Sequence, residues 1–296
     1  MTGTPPAIGV VGLGNMGGPM ARHLLSAGFP VRGYDVRAEA MEQLEIAGGE
    51  AATSPMDAAM RSSVVLTSLP SEAALSDAIS GPVGISHGAH DSLVVVETST
   101  LPIPAKQQAR ELLEERGAIM LDCPLSGTAS QMRAMDAVIY ASGDSGAIAR
   151  LQPVFSAFTR ATYEIGAFGN GMKLKLLANH LVTVHTAAAA EALVLAGRSG
   201  LDLELAHQAL TDGAGTSRML EVRGPLMLKE DFSEANMPIR NYLKDVDLIS
   251  AFARETSSPL LLFPICAQLC IAAMAQGRGE EDPAAMFAVL KAMAEG

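Results

Sequence analysis

Short apolar runs alternate with longer stretches of helical periodicity through the first half of the chain. Ala7–Val11, Val31–Tyr34, Val64–Ser68, Leu93–Glu97, Ile119–Leu121, Val138–Ala141 and Ala161–Tyr163 read as strands, being short and apolar and set between turn or helical segments. Between the early ones, Met16–Ala27, Ala38–Ala47 and Ala105–Glu115 carry helical patterns, the last just after Pro104. Apolar strands separated by helices imply parallel β-α-β units with both faces of the sheet covered. From about Gly171 onward the pattern changes to Ala- and Leu-rich helical segments without a convincing strand. Gly171–Arg198 reads as one long helix ending at Gly200, and its run Ala187–Leu195 is rich in small residues that suit close helix packing. The pattern predicts an α/β chain: a doubly wound, Rossmann-type sheet domain over residues 1–168, followed by an all-α domain over 169–296, joined by the long helix.

Composition narrows the function. Across 296 residues, 49% hydrophobic and 18% charged content excludes disorder, and a net charge of −11 argues against sequence-independent binding to nucleic acid. Small anionic substrates remain open, since a few local cations can hold them. Three cysteines are too few for a disulfide framework, and Cys266 and Cys270 read as small apolar residues on one helical face. His180 and His185 stand five apart, off the spacing of a helical metal pair, so no metal is expected. The N-terminus lacks a signal-type pattern, and Pro264 and Gln268 interrupt the apolar stretch Leu260–Ala275 short of a membrane span. A soluble, cytoplasmic protein with neither membrane nor nucleic-acid partner is the expectation.

Chemistry begins at the first strand-to-helix turn. Gly12-Leu13-Gly14-Asn15-Met16-Gly17 follows the strand Ile8–Val11 and opens a helix, the context in which G-x-G-x-x-G cradles a dinucleotide pyrophosphate. The helix start adds N–H groups and a partial positive charge. Asp35, eighteen residues after Gly17, ends the second strand, where a carboxylate accepts from ribose hydroxyls and repels a 2′-phosphate. That favours NAD as cofactor, with NADP as the alternative, because Arg37 can flank the adenine or partly accommodate a phosphate.

Further blocks follow in order: Leu69-Pro70, Ser99-Thr100, Asp122–Gly127, Gly169–Asn179 and Lys244-Asp245. Together with the glycine turn, they resemble the β-hydroxyacid dehydrogenase family of 3-hydroxyisobutyrate, tartronate-semialdehyde and 6-phosphogluconate-type enzymes. The resemblance implies that Leu69, Pro70 and Thr100, all at strand ends, line the cofactor. It implies that Ser126 and Gly127 hold a substrate carboxylate. Thr128 departs from the family's frequent glycine and should narrow the pocket or add a contact. Lys175 matches the family's catalytic lysine, and Asn179, one helical turn on, shares its face and contacts substrate. Lys173 points about 200° away from Lys175 by helix geometry, so only one of the two can serve. The helix dipole and partial burial both disfavour a protonated Lys175, which suits a base that takes a hydroxyl proton as hydride leaves the same carbon. Lys244 would reach the nicotinamide end, with Asp247 helping to position the site.

The chain is therefore expected to be an NAD(P)-dependent oxidoreductase acting on a small β-hydroxy carboxylate or its semialdehyde or keto partner. Two alternatives stay open: an imine reductase-like NADPH enzyme, whose relatives usually carry Asp or Tyr at the lysine position, and a catalytically silent nucleotide-binding scaffold. Long apolar stretches in the helical half, and the resemblance, imply a homodimer or homotetramer. No cationic block beyond Lys175 and Lys244 is obvious, but scattered arginines can be assembled into one by folding.

Overall fold

The computed structural model describes residues 5–235 and 237–295. Strands β1 (Ile8–Val11), β2 (Val31–Tyr34), β3 (Glu50–Ala51), β4 (Val64–Thr67), β5 (Val94–Glu97) and β6 (Ile119–Asp122) form one all-parallel sheet in the order β3-β2-β1-β4-β5-β6. Strand order reverses between β1 and β4, and ligands of doubly wound folds bind beside the carboxyl ends at such a point. Helices α1 (Gly17–Ser26), α2 (Ala38–Ile46), α3 (Pro55–Met60), α4 (Glu72–Ser80), α5 (Ile85–Gly88) and α6 (Ile103–Glu114) connect these strands. Successive strand residues feed opposite faces. Val10, Leu66, Val96 and Leu121 pack with α1 and α2, while Val11, Val65, Val95 and Met120 pack with α3, α4 and α6.

Beyond Pro124 the chain builds a second, smaller sheet from β7 (Leu125–Ser126), β8 (Val138–Ala141) and β9 (Ala161–Glu164), with α7 (Ala129–Arg133) and α8 (Ser145–Ser156) between them. β7 runs antiparallel to β8, β8 parallel to β9, and a bridge between Asp122 and Ser142 ties this sheet to the end of β6.

The remainder is helical: α9 (Asn170–Arg198), α10 (Leu203–Asp212), α11 (Arg218–Lys229), α12 (Ile239–Glu255), α13 (Phe263–Ala275), a 3₁₀ turn at Pro283–Ala285 and α14 (Met286–Glu295). Pro264 falls within the apolar run Leu260–Ala275, of which only the part from Phe263 on is helical. It sits in the first turn of α13, where the missing N–H costs nothing. A buried ion pair, Arg223 Nε to Asp282 Oδ1 at 2.9 Å, joins α11 to the 3₁₀ turn, and Arg223 also donates to Thr186 Oγ1 at 2.7 Å. By length and composition α9 could cross a membrane, with a mean hydropathy of 1.3 in its most apolar window. Of that window 39% is buried, including Thr183, Thr186, Ala190 and Leu193. The described chain forms two compact units, one up to Lys175 and one from Leu176 on.

Candidate active site

The turn after β1 is closed by its own backbone. Gly12 has φ +93°, and a β-carbon there or at Gly17 would fall on the carbonyl oxygens of Ser68 and Gly12 respectively. Gly14 is different: a β-carbon there would meet only the Arg37 guanidinium, at 3.9 Å. No side chain caps the start of α1, where Gly18 N–H donates to the Gly14 carbonyl at 3.0 Å. Such a turn fits a dinucleotide pyrophosphate, with the backbone of Gly14, Asn15 and Met16 as the hydrogen-bonding surface. Beside it lies a cavity of about 310 Å³ lined by Gly14, Asn15, Arg22, Arg37 and Arg133, among others. Arg22 and Arg133 escaped the sequence reading. Arg22 lies on α1 just after the turn and could have been suspected, whereas Arg133 arrives from α7 through tertiary folding alone.

Asp35 is buried and turned back onto the turn. Its Oδ2 accepts from Leu13 N–H at 2.8 Å, and its Oδ1 accepts from the backbone N–H and Nε of Arg37 at 2.9 and 3.0 Å. A second guanidinium nitrogen lies 3.3 Å from Oδ2. Burial would raise the carboxyl's pKa, but the hydrogen bonds and charge of Arg37, with the Leu13 amide, hold it below the ordinary value. The Leu13 amide is thereby committed to Asp35, and the carboxylate's lone pairs are occupied.

At the neighbouring strand ends, Leu69 N–H donates to Ser99 Oγ at 2.8 Å and the Leu69 side chain faces Gly12. Leu69 and Pro70 follow the carboxyl end of β4 and Thr100 that of β5, and Leu69 borders the glycine turn. Ser126 closes β7, and Gly127 leads into α7. Thr128 is the N-cap of α7 in a reciprocal box with Gln131, its hydroxyl accepting from Gln131 N–H at 3.2 Å and pairing with Ser130 Oγ at 2.8 Å. Its hydroxyl is therefore committed locally.

Lys175 lies in the second turn of α9 and is buried, whereas Lys173 is exposed and donates to Asn170 Oδ1 at 3.1 Å. One helical turn beyond Lys175, Asn179 is also buried, and its Nδ2 donates to Asp245 Oδ2 at 2.8 Å. Lys244 Nζ donates to the other oxygen, Asp245 Oδ1, at 2.8 Å. The sequence points to Asp247 as helping to position the site, but the buried carboxylate bonded to Asn179 is Asp245. Asp247 is exposed, because α12 turns residue 245 inward and carries residue 247 about 200° around. His180 stacks on Phe263 with ring centroids 5.2 Å apart, and burial with the neighbouring His185 lowers its pKa. Cys123 is fully buried, and burial raises its thiol pKa well above the ordinary value. Among the described residues no group of three His, Cys, Asp or Glu side chains is arranged to hold a metal ion.

Residues 7–169 match the family described as the NAD binding domain of 6-phosphogluconate dehydrogenase, and residues 169–290 the family described as NAD-binding of NADP-dependent 3-hydroxyisobutyrate dehydrogenase. An L-threonate dehydrogenase of Cupriavidus necator is 33% identical over 95% of each chain. Human mitochondrial 3-hydroxyisobutyrate dehydrogenase is 29% identical over 96% of this chain and 86% of its own. A solved 3-hydroxyisobutyrate dehydrogenase from Salmonella typhimurium shares the fold with a TM-score of 0.86 at 30% identity, over 96% of this chain and 99% of the other. With the glycine turn and parallel sheet, these matches define an NAD(P)-dependent oxidoreductase. The chain belongs to the β-hydroxyacid dehydrogenase family.

Proposed function

We propose that the protein oxidises a short hydroxy carboxylate, or reduces its carbonyl partner, with Lys175 moving the proton. The observation that carries this reading is the contrast on α9: Lys175 is buried one turn before Asn179, while Lys173 is exposed. When bound, the nicotinamide accepts hydride from the hydroxyl-bearing carbon. Lys175, entering as the neutral amine, takes the hydroxyl proton as that C–H bond breaks and the C=O bond forms, and returns it in reduction. Ser126 Oγ and the backbone at Gly127 bind the substrate carboxylate. Asn179, oriented by Asp245, fixes the substrate hydroxyl, and Lys244 reaches toward the nicotinamide end. Thr128 serves through its methyl group, which narrows the pocket.

NAD is the preferred cofactor, since Asp35 repels a 2′-phosphate once Arg37 swings off it. Leu69, Pro70 and Thr100 line the dinucleotide, and Arg22 and Arg133 add positive charge beside its phosphates. The reading extends to a cytoplasmic homo-oligomer assembled through its helical unit, where Leu261, Leu262 and Ile265 are exposed around the start of α13. A screen of short hydroxy acids with NAD and NADP, followed by the absorbance of the reduced cofactor, tests the proposal. L-threonate and 3-hydroxyisobutyrate come first because relatives carry those names. Reduction of NAD by a hydroxy carboxylate is expected; turnover only with imines would overturn it.

A further inference from the structure

The start of α9 is anchored unlike the capped helix starts elsewhere in the chain. α3, α4, α7, α8, α10 and α11 each turn a first-turn N–H onto a local cap: Ser54, Ser71, Thr128, Asp144, Asp202 or Ser217. In α9, Gly171 N–H donates to Ser142 Oγ at 2.9 Å and Met172 N–H donates to Asp122 Oδ2 at 2.8 Å, acceptors 29 and 50 residues away. A β-carbon at Gly171 would sit 2.7 Å from the Asp122 carbonyl oxygen and would strike that of Tyr140. The helix start is pressed directly onto the ends of β6 and β8.

Asp122 is itself held from behind. Lys106 Nζ, on α6, donates to Asp122 Oδ1 at 2.7 Å and pairs with Glu97 Oε2 at 2.7 Å, and all three side chains are fully buried. Glu97 Oε1 accepts from Ser99 N–H at 2.9 Å, and Ser142 Oγ donates to the Asp122 carbonyl at 2.9 Å. One ammonium against two carboxylates leaves an excess negative charge in the interior, which is costly unless compensated. The compensation is the positive end of a 29-residue helix, whose Met172 N–H reaches Asp122 directly. Burial by itself would depress the Lys106 pKa, but the Asp122 and Glu97 carboxylates outweigh it and keep the ammonium charged. Without that ammonium, two carboxylates would face each other with no cation between them, and their repulsion would displace Asp122 from Met172 N–H.

We infer that Glu97, Lys106 and Asp122 form a buried positioning triad that fixes the register of α9 and so the placement of Lys175, one turn beyond Met172. The inference deepens the reading of Lys175 as the proton-transfer residue and rests on it. Lys106 holds the Asp122 carboxylate in place, Asp122 holds the helix start, and neither touches the reacting atoms.

The experiment compares Lys106→Met with the double variant Lys106→Met/Glu97→Gln, which restores the net charge around Asp122 without the ammonium. Hydrogen exchange at the Gly171 and Met172 amides is read beside kcat and KM. Lys106→Met should speed exchange at both amides and lower kcat by up to ~10²-fold, the scale of an ångström-sized misplacement, with cofactor KM within about twofold. The double variant should recover slow exchange and most of kcat. Equal loss in both, or faster exchange with kcat intact, would reduce the triad to a fold-holding ion cluster. Should Lys106→Met fail to fold, Ser142→Ala removes the Gly171 acceptor and leaves the triad in place. It should speed exchange at Gly171 and lower kcat several-fold, and unchanged values of both would overturn the inference. If Lys175→Ala keeps its turnover, the proton-transfer reading falls alone, and exchange with charge rescue still decides whether the triad fixes α9.

Discussion

Asn179 Nδ2 donates to Asp245 Oδ2 at 2.8 Å, and both side chains are buried. A carboxylate only accepts, so this bond fixes which end of the Asn179 amide is the donor and turns its carbonyl oxygen away from Asp245. Lys244 on the other oxygen holds the carboxylate in place. Asp245→Ala should release the amide and raise KM for the hydroxy acid by about tenfold, the cost of one charge-assisted hydrogen bond. Cofactor KM should change little in steady-state kinetics. A rise confined to the cofactor would assign Asp245 to Lys244 instead.

Arg37 covers Asp35, and under the proposed reading this cover tunes the choice between NAD and NADP. The guanidinium is largely exposed and its ion pair with Asp35 is therefore weak and easily opened. Arg37→Ala should uncover the carboxylate and raise the NAD-over-NADP ratio of kcat/KM by roughly tenfold, about one charged hydrogen bond's worth. A lower ratio would mean that Arg37 works against the 2′-phosphate by some other route.

The same pair sets a pH dependence. The Asp35 pKa lies below its ordinary 3.8, so the stability it contributes is present above that value and lost as pH falls through the lower, folded-state value. Arg37→Ala removes part of the cause, which should move the loss to higher pH in acid-unfolding curves read by circular dichroism. Identical acid limbs in the two proteins would contradict the geometry around Asp35.

Gly14 and Gly17 should separate cofactor binding from folding. At Gly14 an added methyl meets only the Arg37 side chain, so Gly14→Ala should leave the melting temperature within a few degrees of wild type while raising cofactor KM about tenfold or more. Gly17→Ala collides with the Gly12 carbonyl and should cost roughly 1–3 kcal/mol, as overpacking does. Thermal melts and cofactor titrations on both proteins check this.

The apolar surface of the second unit predicts assembly. Leu195, Leu205, Leu261, Leu262 and Ile265 are mostly exposed. Light scattering at micromolar concentration should give at least twice 30.7 kDa, and a mass of one chain persisting at high concentration would contradict it.

Much of the parallel sheet was legible because its strands are buried on both faces and read as short apolar runs bounded by glycine turns. Strand β7 was not, since two residues carry no periodicity, and β8 and β9 gave no sign of leaving the main sheet. The glycine turn could be read from spacing, and helix geometry separates residue 173 from residue 175, though the choice of Lys175 came from the family resemblance. Asp245 was passed over for Asp247, since one charge on a helix looks like the next until its face is known. Lys106 was invisible for a deeper reason. Its partners lie on two different strands, so nothing near it in the chain announces that it is buried and charged.

The central claim is that Lys175 moves the proton, and pairing Lys175→Ala with Lys173→Ala tests it most directly. With the best hydroxy acid from the screen, Lys175→Ala should lose ~10²–10⁴-fold in kcat while NAD affinity stays near wild type. Lys173→Ala, which removes only an exposed side chain, should turn over almost normally. Near-normal turnover in Lys175→Ala, or an equal loss in both variants, would contradict the account.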